Sequence, residues 1–190
     1  LGKTSIVEPE VYVVRGSSRY AETTAGVVYI HSSPAALCPH IEWALAAALG
    51  APASLRWTAQ PAAPGQLRAT TEWVGPAGTA SRIAQSLRSW PVLRFEVTED
   101  PSEGVDGERY SFVPSLGLWH GSTSANGDVV VGEMRLRVML QAARELGRYS
   151  AYDLPTELDR ALGTAWDEDL EVYRTGSEGA EVTWLRRDVG

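Results

Sequence analysis

Between Gly26 and Thr98 the chain reads GVVYIHSSP (26–34), PHIEWALAAALG (39–50), LRWTA (55–59), LRATTEW (67–73), TASRIAQSLR (79–88) and VLRFEVT (92–98), and these six segments decide the fold. Val27 to Ile30 is a β-branched and aromatic run suited to a buried strand. His31-Ser32-Ser33-Pro34 reads as the loop that follows it. Ile41, Trp43, Ala44, Leu45 and Ala48 then recur at helical spacing, with Pro39 at the start and Gly50 just past the end. A proline inside a helix removes a hydrogen bond and clashes with the preceding turn, so the regular helix is expected to begin at Pro39. Two segments of period two follow. Leu55, Trp57 and Ala59 oppose Arg56 and Thr58, and Leu67, Ala69, Thr71 and Trp73 oppose Arg68, Thr70 and Glu72, as in half-buried strands. A second helix is expected over Thr79 to Arg88 with Ile83, Ala84 and Leu87 as its stripe. A strand over Val92 to Thr98 sets Leu93, Phe95 and Val97 against Arg94, Glu96 and Thr98. The order βαββαβ is that of a ferredoxin-like split βαβ unit, and the fold class is α+β.

Working outward, residues 1–25 read as an N-terminal tail whose one apolar run is Val11 to Val14, and residues 26–100 as the ferredoxin-like core. Residues 101–190 read as a C-terminal β-hairpin and two helices packed on that core. Glu99 to Glu108 looks like a solvated acidic loop. Tyr110 to Val113 and Leu116 to His120 read as short strands, and Asn126-Gly127 before Val129-Val130-Val131 is a two-residue hairpin signal. Glu133 to Leu146 reads as a helix ending at Gly147. Asp153 is the expected cap of one last long helix running through Leu154, Leu158, Ala161, Leu162, Ala165, Trp166, Leu170 and Tyr173, before a final strand, Glu181 to Arg187.

Composition excludes several classes. The longest apolar run, Ile41 to Leu49, is broken by Glu42, and a membrane span needs ~20 largely apolar residues, so no membrane insertion is expected. No basic segment leading into an apolar one marks a secretory leader. One cysteine excludes a disulfide framework and a Cys-rich zinc module and points to the cytoplasm. The formal charge is −7, and residues 151–190 hold ten acids against four arginines, so the acid is concentrated at the C-terminal end. Nucleic acid is not an expected partner: Trp57, Trp73 and Phe95 fall on the apolar face, and the other face mixes Arg56, Arg68 and Arg94 with Glu72 and Glu96.

Few residues are placed to carry chemistry. Cys38 at a helix start, with His40 two residues on and His31 at the strand end, is a conceivable Cys/His nucleophile arrangement, because helix-end amides lower a thiol pKa. The i, i+2 pair does not share a helical face, however, and a small buried thiol with Ser33 satisfying backbone amides accounts for the same residues. His31, Ser32 and Ser33 could instead hold a phosphate or carboxylate at the helix amides, although no glycine fingerprint accompanies them. His31, His40 and His120 show no paired ligand motif, so no metal and no cofactor are expected. Trp43, Trp57, Trp73 and Trp166 lie on apolar stripes and read as core, leaving Trp90, Trp119 and Trp184 for an interface. Asp167, Glu168 and Asp169 sit toward the C-terminal half of the expected last helix, against its dipole, which suggests that they answer a basic protein partner.

The strings Gly26 to Pro34, Leu37 to Trp43, Gln60 to Gly65 and Ala161 to Asp167 resemble a bacterial family known as domain of unknown function 3145, with the resemblance covering about Ala25 to Arg187. It brings no catalytic or binding residues to carry over. What it implies is a cytoplasmic accessory role in acyl metabolism. The expected function is therefore a non-enzymatic accessory or regulatory protein acting through protein contacts. The alternative is a small-molecule or anion-binding domain, or an enzyme, using the His31 to His40 loop.

Overall fold

In the computed structural model, which describes residues 23–146 and 153–174, one antiparallel sheet of seven strands carries the chain. The elements in order are β1 (Thr23–Pro34), α1 (Cys38–Leu49), β2 (Thr58–Ala59), β3 (Gln66–Pro76), α2 (Thr79–Leu87), β4 (Arg94–Glu99), β5 (Gly107–Val113), β6 (Gly117–Thr123), β7 (Val129–Val130), α3 (Glu133–Leu146), α4 (Leu154–Leu162) and α5 (Thr164–Arg174). The fold is α+β. Across the sheet the strands run β2-β3-β1-β4-β5-β6-β7. β3 therefore lies between β1 and β2, the strands that α1 joins, and β1 lies between β3 and β4, the strands that α2 joins. Strands β5 to β7 extend the same sheet beyond β4 as a meander, where a single hairpin was expected.

The core follows the apolar stripes. Val28, Ile30, Ala69, Trp73, Phe95, Val97, Tyr110 and Phe112 from the sheet pack with Ile41 and Leu45 of α1 and Ala80, Ile83, Ala84 and Leu87 of α2. Gly26 is required where β1 runs beside the end of β4, because a Cβ there would run into the Thr98 carbonyl and lie 2.7 Å from the Trp73 ring. Pro39 sits in the first turn of α1 and Gly50 closes it at φ 68°, as their residue types suggest. The start of α2 is held from a distance. Glu99, the last residue of β4, accepts from the backbone N–H of Gly78 (2.7 Å) and of Ala80 (2.9 Å) with its two carboxylate oxygens. Glu99 is thus a buried helix cap rather than the first residue of a solvated loop.

Several expectations need correction. β1 runs on through His31, Ser32 and Ser33, all buried, so these residues are strand and not loop. The register shifts between Ile30 and Ser33 against β3, and between Ile30 and Ser32 against β4; this bulge re-aims side chains at the strand end. β1 also begins at Thr23, inside the expected tail. The alternating segment at 55–59 yields only two residues of strand. Glu42 of α1 takes the backbone N–H of Leu55 (2.9 Å) and the indole N–H of Trp57 (3.1 Å), so a side chain holds what a ladder would have held. At Asn126-Gly127 only Gly127 has positive φ (86°), and Gly127 N–H bonds Ser124 C=O while Ser124 N–H bonds Asp128 C=O. The connection is a type I turn with a glycine bulge, not a two-residue turn.

The expected last long helix is two helices. Gly163 adopts φ 82° and its N–H reaches Asp159 C=O and Arg160 C=O, ending α4. The Trp119 ring packs against Gly163, where a Cβ would sit 2.8 Å from it. Asp153 caps α4 as expected, accepting from Thr156 N–H at 3.3 Å. The tryptophans also redistribute: Trp43 is 66% exposed on the outer side of α1, whereas Trp119 is buried beneath α4 and donates to Arg160 C=O (3.0 Å). Trp57 and Trp90 are partly buried against the core. The Val11 to Val14 run, Gly147, the strand expected over Glu181 to Arg187, and Trp184 lie outside the described residues.

Candidate functional site

Along β4, Phe95 and Val97 point into the apolar core, so Glu96 points to the opposite face of the sheet. Alternation alone makes that face solvent, but α5 lies across it and leaves Glu96 only 1% exposed. Arg174, the last residue of α5, donates to Glu96 through both Nε (3.0 Å to Oε2) and Nη2 (2.6 Å to Oε1). His31 Nε2 lies 2.7 Å from the same Oε2, and Ser111 of β5 donates to Oε1 at 3.3 Å. Arg109, on the same face of β5, donates to Asp167 in the first turn of α5 (2.6 Å), and Arg174 reaches that carboxylate as well (2.8 Å). At the rim Arg94 donates to Asp169 (2.8 Å) and lies over the Tyr173 ring, 4.5 Å from its centre. Gln60 bridges the layers, its amide donating to His31 C=O (2.6 Å) and Tyr173 C=O (3.2 Å). The Trp166 indole donates to Gly117 C=O (2.9 Å).

The electrostatics follow from this wiring. Burial alone would raise the Glu96 pKa, yet the His31 hydrogen bond and charge together with the Arg174 guanidinium hold it down to about 2. The same pairing, with Asp167 added, overcomes the burial of Arg174 and pushes its pKa upward. Glu96 is therefore a fixed anion at neutral pH. A general acid or base works best with a pKa near the operating pH, and Glu96 lies far below it. Its chemical role is to anchor α5. Tyr110 is no closer to neutrality: burial and its hydrogen bond to Glu108 push the phenol up to about 12.

The residues singled out from sequence fall in separate places. Cys38 is buried at the first position of α1, with Sγ 3.8 Å from Pro34 C=O, and burial raises its pKa, away from the thiolate a nucleophile needs. His40 packs edge-on against Trp43 (5.1 Å between ring centres) and faces Trp90. His31 projects to the α5 side of the sheet, opposite α1, and stacks with Tyr29. Ser33 donates to Pro34 C=O and Ser32 approaches the Gln66 side chain, while the cap position of α1 is Leu37 and no side chain caps it. Pro39 removes one of the amides an anion would use there. His120 stacks on Tyr110, and among the described residues no three His, Cys, Asp or Glu side chains gather as a metal centre requires.

Asp167 and Asp169 meet arginines of their own chain, and Glu168 points to solvent. The helix breaks at Gly163, which puts Asp167 in the first turn of α5, where a carboxylate is favourable, and not in the C-terminal half of one long helix. Sequence reasoning missed Glu96, Arg109, Arg174 and Gln60. One signal was available, since Asp167, Leu170 and Arg174 share a helical stripe on which two members are charged.

The model of a family described as a protein of unknown function (DUF3145) matches residues 27–187. No curated protein and no solved structure matches the chain. No helix among the described residues is long and apolar enough to cross a membrane.

Proposed function

We propose that this chain, which belongs to the DUF3145 family, is a non-enzymatic accessory or regulatory protein that acts through protein contacts. The observation that carries this reading is the outer face of α3. Met134 and Val138, one turn apart, are 72% and 64% exposed, whereas Met139 on the inner face is buried. Apolar pairs of this kind at helical spacing are how a helix presents itself to a partner groove. The buried ionisable groups support the same reading, because Glu96 and Arg174 are committed to each other and to holding α5.

The architecture we infer beneath that surface is a ferredoxin-like core. Its support is the order β2-β3-β1-β4, in which each pair of helix-linked strands is split by another strand, with α1 and α2 packed on one face. A cytoplasmic setting is inferred from the single, unpaired cysteine. A link to acyl metabolism rests on the family resemblance alone.

The test is native purification. The tagged chain, recovered under mild conditions from the cells it comes from, is expected in a complex larger than its own 20.6 kDa. Recovery alone at that mass overturns the reading. With Met134→Glu and Val138→Glu together, the partner is expected to fall at least about tenfold at unchanged folding, since a charge in an apolar contact is costly. A complex that survives both changes moves the contact away from α3.

A further inference from the structure

The two helical layers are attached in different ways. The nine residues of α2 bury Thr79, Ala80, Ile83, Ala84 and Leu87, whereas the eleven of α5 bury only Leu170 and Arg174. Trp166 and Tyr173 add partly buried rings, the Tyr173 ring beneath Arg94, and the rest of the α5 attachment is ionic: three charges on the sheet are answered on the helix, Arg109 by Asp167, Arg94 by Asp169 and Glu96 by Arg174.

We propose that the sheet face formed by Arg94, Arg109, His31 and Glu96 is a seat for a helix of a protein partner, and that α5 fills this seat in cis. Charge order identifies the occupant. It presents a carboxylate and a guanidinium two turns apart with an apolar side chain between them, as Asp167, Leu170 and Arg174 do. A purely apolar helix would cover Glu96 and Arg109 without pairing them, and a purely acidic one would face Glu96. Only a helix that repeats the pattern replaces what α5 supplies, so the seat discriminates by repulsion as well as by attraction. Lying across the sheet from α1 and α2, this seat does not depend on the outer face of α3.

The probe is a labelled, N-acetylated peptide with the sequence of residues 164–174, added to the full chain. The wild-type chain, whose seat is filled, is expected to bind it weakly. Arg174→Ala deprives the chain's own helix of its buried anchor and is expected to tighten peptide binding at least about tenfold, a difference of ~1.4 kcal/mol. A peptide with the residues at positions 167 and 174 exchanged, so that Asp167 and Arg174 trade places, is expected not to bind. Asp167→Asn provides a milder second variant should Arg174→Ala fail to fold. A folded variant that takes the peptide no better than wild type, or takes the exchanged peptide equally well, overturns the proposal. So does a variant that forms a dimer by trading α5 between copies, which assigns the seat to a second copy of this chain instead.

Discussion

Glu96 accepts from two nitrogens of Arg174, from Ser111 and from the His31 ring, and almost none of it touches water. Because both charges are buried, removing one leaves the other desolvated and short of its main counter-charge, with only His31 and Ser111 beside Glu96 or Asp167 beside Arg174, which costs up to about 3–5 kcal/mol, whereas removing both together costs much less. Arg174→Met and Glu96→Leu are each expected to lower the urea midpoint strongly. The double variant is expected to recover most of the loss, and the cycle reads the coupling directly. Additive losses would mean that the two side chains act through other partners. Glu99 does a different task with the same functional group. Glu99→Ala strips two backbone N–H groups at the start of α2 of their acceptor and is expected to cost about 1–2 kcal/mol by the same measurement.

Between α4 and α5, Gly163 is needed for two reasons, its φ of 82° and the Trp119 ring against it. Gly117 has a similar φ of 76° but open space around it. Gly117→Ala should therefore cost only the backbone strain, about 1 kcal/mol, and Gly163→Ala should cost more than twice that, because the ring must also move. Equal losses in denaturant melts would show that the Trp119 contact yields easily. The break at Gly163 was legible, since a glycine followed by threonine is a helix stop and a helix start in succession. It was hidden by apolar residues that keep a helical period on both sides of it. α1, α2 and the core faces of β3 and β4 were legible because Ile83, Leu87, Leu93, Phe95 and Val97 obey one period each. The shortness of β2 was not: Glu42, which replaces its ladder, is more than ten residues away in the chain and looks like any solvent-facing acid on α1.

On the scale of the molecule, one sheet carries an apolar layer on one face and an ionic layer on the other, and period two cannot distinguish a polar face open to water from one closed by a charged helix. His31, Glu96 and Arg174 come from β1, β4 and α5, so their meeting is a property of topology that no local pattern records. The two layers should consequently differ in their response to acid. Ile41, Leu45, Ile83 and Leu87 hold α1 and the body of α2 by burial that does not titrate, and only the first turn of α2 rests on a carboxylate, that of Glu99. The anchor of α5 does: the folded Glu96 pKa of about 2 lies below the ordinary 4.5, so its stabilisation is complete above the ordinary value and is lost as pH falls through that window toward 2. Hydrogen exchange followed by mass spectrometry, with rates corrected for intrinsic chemistry, is expected to show α5 losing protection between pH 5 and about 3 while α1 and the body of α2 around Ile83 to Leu87 keep theirs. In Glu96→Gln the loss of α5 protection should already be present at neutral pH and should change little on acidification. If α5 and α2 instead lose protection together at every pH, the ionic layer opens only with the core, and the sheet has no face that can be uncovered separately.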